Sequence, residues 1–213
     1  MKKMTVEELR ERMILHKAWL DEEKGGVRAS MTGLDLSGHD LAGSNMRYAI
    51  MDRCFMPGVF LHNANLHHAS MRFTILRRAC LSGARLYSAD FAGANLHYAN
   101  LRGAELRCAS FRNADLTGAD FTGADITRAD FTNANLASCK GIQFVQLAFQ
   151  GLGAESRQWS AVKINGVWQV FCGSWNGTLE ELRLRIEVIA GPHLESRRRA
   201  FGYIFDACTH QEA

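Results

Sequence analysis

The sequence predicts an all-β solenoid with four sides, closed at its start by a helix and followed by a small α+β appendage. Two observations carry this. Every fifth residue from Met31 to Leu136 is Leu, Met, Phe or Ile, 22 positions without exception. One column of these residues taken at intervals of 20 reads Met31, Met51, Met71, Phe91, Phe111, Phe131 and holds no leucine, whereas the other three columns hold leucine at 12 of 16 positions.

A period of five matches neither a 3.6-residue helix nor an alternating strand. It matches a chain that turns a corner every five residues. Two places before the large residue the residue is usually small, alanine twelve times in succession from Ala79 to Ala134. Both point inward, and the second must be small because the corner crowds the backbones. Asp or Asn often precedes the large residue, as in Ala94-Asn95-Leu96, and glycine often follows it by two, as at Gly38, Gly83, Gly103, Gly118 and Gly123. These suit corners, through local hydrogen bonds and backbone freedom respectively. A column with its own residue preference implies contact between i and i+20, hence four windows per coil. At that count the 22 windows make a rod roughly 25 Å long.

Residues 79–136, and more loosely 29–140, resemble the pentapeptide-repeat family with its A(D/N)LXX consensus. The resemblance implies a right-handed quadrilateral β-helix. Residues 44–75 depart from the pattern, with Cys54, Val59 and Thr74 at the small position, and the coil walls are expected to bulge there.

A solenoid needs caps over its open edges. Residues 1–28 supply the first. Thr5-Val6-Glu7-Glu8 is a capping box. Val6, Leu9, Met13, His16 and Leu20 form a helical stripe, and Gly25-Gly26 is expected to end the helix. The stretch Leu15-His16-Lys17-Ala18-Trp19-Leu20, then Gly25-Gly26-Val27-Arg28-Ala29, also resembles leaders of phage and bacterial pentapeptide proteins. Residues 141–213 change character. Val162–Phe171 reads as a β-hairpin turning at Asn165-Gly166. Thr178-Leu179-Glu180-Glu181 is a second capping box, opening a helix to about Ala190 that Gly191-Pro192 breaks. A last helix follows from about His193 to Cys208. This appendage is expected to cap the rod, to pair two copies or to bind a partner.

The balance of 25 basic and 22 acidic residues, net +3, argues against direct binding of nucleic acid. No apolar run has the length of a signal peptide or a bilayer span, so no membrane role is expected. The six cysteines lack metal or redox spacing and read as reduced thiols of a cytoplasmic protein. No catalytic residue, cofactor site or metal site is expected. His67-His68, Cys80 and His97 fall on different coils. A Cys172-Gly173-Ser174 nucleophile loop with His193 as base has nothing to fix its geometry. Asp115, Asp120, Asp125 and Asp130 fall on successive sides and suit turns.

Two surface features point to binding. Apolar residues occupy outward slots on coils two and three: Ile50, Phe55, Phe60 and Ile75, with Tyr48 and Phe73 near by. They are expected to lie under the helix or the appendage, or to meet a partner. The second feature is a belt of Arg102, Arg107 and Arg112 on three successive sides. From Arg72 to Arg112 seven arginines face Asp90 and Glu105, and acidic residues dominate from Asn113 to Cys139.

The family resemblance implies two functional themes. One is modulation of DNA gyrase by a rod imitating DNA, which needs an acidic surface. Residues 31–140 instead carry 11 basic and 9 acidic groups. The other is a secreted bacterial effector. The reading favoured by the residues is a non-enzymatic interaction protein, bacterial or phage-borne, with a protein partner. The resemblance also implies a homodimer through the C-terminal region.

Overall fold

The computed structural model describes residues 1–149, 157–164, 167–172, 175–188 and 194–209. The chain divides into two compact units, one of Met1–Asp130 with Asn135–Gly141, the other of Phe131–Ala134 with Ile142–Ala213.

The first unit is the solenoid with its helix. Parallel bridges join residues 20 apart at every fifth position, from Ser30↔Ile50 to Asp120↔Lys140. Each coil therefore has four sides. Along one side the Met31 N–H donates to Ile50 O at 2.7 Å and the Ile50 N–H donates back to Ala29 O at 2.9 Å. At the next corner the Leu34 N–H closes on Met31 O at 3.1 Å. All 22 large inward residues are buried. Within the column that excludes leucine, the Phe91 and Phe111 rings stack at 5.1 Å with 4° between planes.

Every corner takes a left-handed residue. The 22 positions from Gly33 to Ser138 at five-residue intervals all have φ between 52° and 79°, and 13 of them are not glycine. A side chain in this region costs about 1 kcal/mol or more. The corner hydrogen bond and the coil-to-coil bonds on either side hold Arg53, Phe73, Arg78 and Tyr98 there regardless.

The bulge expected around residues 44–75 is absent. The register of 20 is unbroken through these coils, and Cys54, Val59 and Thr74 are wholly buried. The two heteroatoms find carbonyls: Cys54 Sγ donates to Met31 O at 2.8 Å and Thr74 Oγ1 donates to Met51 O at 2.8 Å. A slightly larger group at the small position is thus accommodated by bonding to the coil before it.

Helix α1 (Val6–Leu20) starts at the Thr5 capping box, with both reciprocal bonds formed. Its buried residues are Leu9 and His16; Val6, expected in the stripe, is exposed. Gly25-Gly26 does not end it. Glu22 does, at φ 57°, with Glu23 N–H reaching Ala18 O and Glu22 N–H reaching Trp19 O, the bonding of a Schellman motif. Gly26 serves differently: a Cβ there would collide with the α1 backbone at Ala18 and Trp19. Before the helix, Lys3 bridges Asp35 in parallel, so residues 2–4 add a strand to the first coil. Arg12 donates to Ser30 O, and the Ala29 N–H donates to His16 Nδ1 at 3.1 Å. The open edge is thereby partly satisfied.

The second unit holds more strands than the hairpin read from the sequence. β1 (Phe144–Phe149), β2 (Arg157–Ile164), β3 (Val167–Cys172) and β4 (Trp175–Thr178) form an antiparallel sheet in chain order. The β2–β3 pairing sets Ala161 opposite Val170; its turn residues Asn165-Gly166 lie outside the described residues. α2 (Leu179–Val188) opens on the Thr178 capping box, with Glu181 N–H to Thr178 Oγ1 at 3.1 Å and Thr178 N–H to Glu181 Oε2 at 2.7 Å. α3 (Leu194–Thr209) follows, and the expected break at Gly191-Pro192 lies outside the described residues. Ala161, Trp168, Val170, Leu182, Ile204 and Cys208 form the buried cluster between this sheet and its helices.

Candidate protein-interaction surface

The six outward apolar residues do not form one patch. Tyr48 belongs to a column of rings that begins on the helix. Its ring meets Trp19 edge-on at 6.2 Å and stacks on His68 at 5.1 Å. His68 in turn meets Tyr87 edge-on at 5.5 Å. Ring faces are largely used within this column, which extends the helix packing down one corner. Ile50, on the next side, is half-buried between its bridge partners Ser30 and Ser70.

The other four lie further round the coil. Phe55 and Ile75 are bridge partners on one side, and Phe60 bridges Cys80 on the following side. Phe73 stands at the corner before Ile75, where its ring lies over the next coil. A Cβ at Gly93 would sit 2.5 Å from that ring, so the glycine makes room for it. Helix α1 does not cover these rings: Phe55 is 39% exposed, Phe60 54% and Phe73 53%. Ile75 is half-buried.

The charged neighbours were not legible in the sequence. Between Phe55 and Phe60 the chain turns at Pro57-Gly58. Directly below, the Arg77 carbonyl accepts from the Gly58 N–H at 2.8 Å. Nothing lies within 4 Å of a Cβ built at Gly58, so no side chain of another coil covers this corner; Arg77 and Arg78 stand at the same corner of the next coil. Those two arginines and Arg53 are exposed and form no ion pair among the described residues.

The expected belt is different. Arg102 pairs with Asp120 at 3.2 Å, Arg107 with Asp125 at 3.9 Å and Arg112 with Asp130 at 3.0 Å. Each reaches an aspartate 18 residues on, in the next coil. The belt is therefore neutralised, not a free basic surface. The aspartates also serve their corners: Asp120 Oδ1 accepts from the Thr122 N–H at 2.9 Å and its hydroxyl at 2.5 Å. The Thr122 bonds, then Arg102, hold the Asp120 carboxyl below the usual range. Asp125 is lowered likewise, first by the Thr127 hydrogen bond. These carboxylates are turn formers with cationic neighbours, as their spacing suggested.

Among the described residues no group of three or more His, Cys, Asp or Glu could hold a metal. Burial pushes the Cys54 thiol up to about 11 and the Cys139 thiol up to about 12, which disfavours thiolate chemistry at either. His193 and Gly173-Ser174 lie outside the described residues, as does the side chain of Cys172. In the second unit Leu179, Glu180, Arg183, Phe201 and Phe205 line a shallow groove between α2 and α3. No helix among the described residues is long and apolar enough to cross a membrane.

The family profile described as "Pentapeptide repeats" matches in eight copies, over residues 51–83, 76–107, 84–123 and 104–140. Among solved structures, the chain is similar to the pentapeptide repeat protein Rfr23 from the cyanobacterium Cyanothece 51142. The identity is 25% over 59% of this chain and 91% of that one, with a TM-score of 0.41. It is also similar to a pentapeptide repeat protein from the Arabidopsis thaliana thylakoid lumen, at 32% identity over 46% of this chain and 68% of that one, TM-score 0.28. A third similar structure is QnrB1, a plasmid-mediated fluoroquinolone resistance protein, at 18% identity over 52% and 81%, TM-score 0.27. No curated protein matches the chain. The repeat geometry begins before the matched residues, at the Ser30↔Ile50 bridge, and the chain belongs to the pentapeptide-repeat family, whose fold is a right-handed β-helix.

Proposed function

We propose that the chain is a non-enzymatic interaction protein that meets a protein partner through coils two and three. One observation carries this reading: Phe55, Phe60 and Phe73 stay exposed on a scaffold that buries every other phenylalanine of the repeat region. Exposed aromatics grouped on a rigid element are costly to leave in water and are typical of interface centres. The solenoid supports the role because its backbone is bonded coil to coil, so the surface is pre-organised and little ordering entropy is lost on binding. The mixed charge of the rod, with many of its arginines and aspartates paired, supports a protein partner over imitation of DNA at gyrase. The test is retention of a macromolecule by immobilised full-length protein, compared with Phe60→Ser. A partner lost with the variant is expected. Retention of small molecules alone, or of the same macromolecules by both forms, sinks the reading.

A further inference from the structure

We infer that the corner at Pro57-Gly58 receives an acidic segment of the partner that also carries an apolar side chain. The inference rests on the interaction reading above and adds the chemistry of the occupant.

Unpaired charge stands beside exposed rings at this corner. On coil two the outward residues run Phe55, Pro57, Gly58, Phe60; below them on coil three run Ile75, Arg77, Arg78, Cys80. The two arginines thus lie between flanking columns of apolar residues. Neither is paired with a carboxylate among the described residues, whereas Arg72, Arg85, Arg102, Arg107 and Arg112 each meet an acid further along the chain. The position 20 residues on from Arg77 is His97, and from Arg78 it is Tyr98. Both arginines are exposed, and no side chain fills the space at the Gly58 corner, so a partner can approach them. Arginine and aromatic residues are the types enriched at protein interfaces, and guanidinium groups bind carboxylates through paired hydrogen bonds. A carboxylate at the corner with a neighbouring apolar side chain against Phe55 or Phe60 satisfies both.

A nucleic-acid strand fits less well. A strand needs cations along its track, and the coil above presents Asp35 and Asp40 in the columns of Phe55 and Phe60. These carboxylates would repel successive phosphates, but leave room for a short acidic motif.

The experiment selects a random peptide library displayed on phage against the full-length protein, then measures one enriched peptide and a short oligothymidylate. Enriched sequences should combine Asp or Glu with Phe, Leu or Trp. Reversing both charges, Arg77→Glu with Arg78→Glu, should weaken the peptide about tenfold or more, and the milder Arg77→Gln with Arg78→Gln should weaken it less. Circular dichroism of each variant should match the parent, since both side chains are exposed. Enrichment of basic or uncharged sequences overturns the inference, as does an affinity that neither pair of substitutions changes. Oligothymidylate bound more tightly than the peptide through the same arginines overturns it in favour of nucleic acid. Peptides that need Phe60 but ignore the arginines keep the interaction reading and remove the acidic occupant. Absence of any enrichment counts against both.

Discussion

Coils two and three and the coils that follow share one backbone and differ in what they show to solvent. From Ala79 onward the small position is alanine and the belt arginines lean onto acids of the next coil. Around residues 50–78 the small position varies, the outward slots hold Phe and Ile, and Arg53, Arg77 and Arg78 stand without an acid among the described residues. The bridges keep the same interval through both. The interior therefore sets the fold, and the outward slots are free to vary because they carry little of its stability. This division can be attacked from either side.

The largest effect is expected inside the regular coils. Phe111→Ala removes a fully buried ring that stacks on Phe91, and should cost about 3–5 kcal/mol, read as a lower midpoint in urea. Next comes the cap. His16 is wholly buried and accepts the Ala29 N–H through Nδ1. Burial lowers its pKa from the ordinary 6.5, the Arg47 backbone partly opposing and Arg28 adding to the shift. The folded state then binds its proton less readily than the unfolded state. Its contribution is fully present above the ordinary value and is lost as pH falls through it towards the lowered one. Hydrogen exchange in α1 should accelerate on acidification, and in His16→Gln this pH dependence should flatten.

A smaller effect separates the irregular coils from the regular ones. Thr74→Val keeps the shape and removes the bond to Met51 O, leaving that carbonyl with one partner fewer. A loss of about 1 kcal/mol is expected. The reverse change in the regular coils, Ala94→Thr, places a hydroxyl and a methyl group where alanine is buried and should be the more costly of the two if the irregular coils are specially adapted. Equal costs in a melting experiment would show that the solenoid tolerates either residue anywhere.

The sequence displayed the interior better than the surface for a physical reason. Inward residues repeat because each meets its own kind one coil away, so the fivefold period and the column from Met31 to Phe131 could be read directly. The corner conformation could not. Nine glycines mark it, but Phe73, Arg78 and Tyr98 adopt it too, held by bonds to neighbouring coils that composition does not reveal. Nor did Gly25-Gly26 reveal that Glu22 ends α1. The arginine belt misled because a count along the chain omits the next coil, where the partners 18 residues on are found. In the appendage, β1 and β4 carry no distinctive pattern: a short apolar run such as Phe144–Phe149 suits a strand or a helix equally. Of the surface residues, Phe55, Phe60, Phe73 and Ile75 could be singled out, but the separation of Tyr48 required the Trp19 contact.

The smallest effect on stability is the sharpest test of the comparison. Arg112→Ala breaks a half-buried surface ion pair with Asp130, which should cost about 1 kcal/mol and leave partner binding unchanged. Phe60→Ser removes a ring that is 54% exposed and should shift stability by no more than about 0.5 kcal/mol, while abolishing retention of the partner. The two substitutions together separate folding from recognition. If Phe60→Ser instead lowers the melting temperature as much as a core substitution does, the ring is part of the packing. The exposed rings of coils two and three would then be structural, and the difference between the two sets of coils would lie in how they fold and not in what they bind.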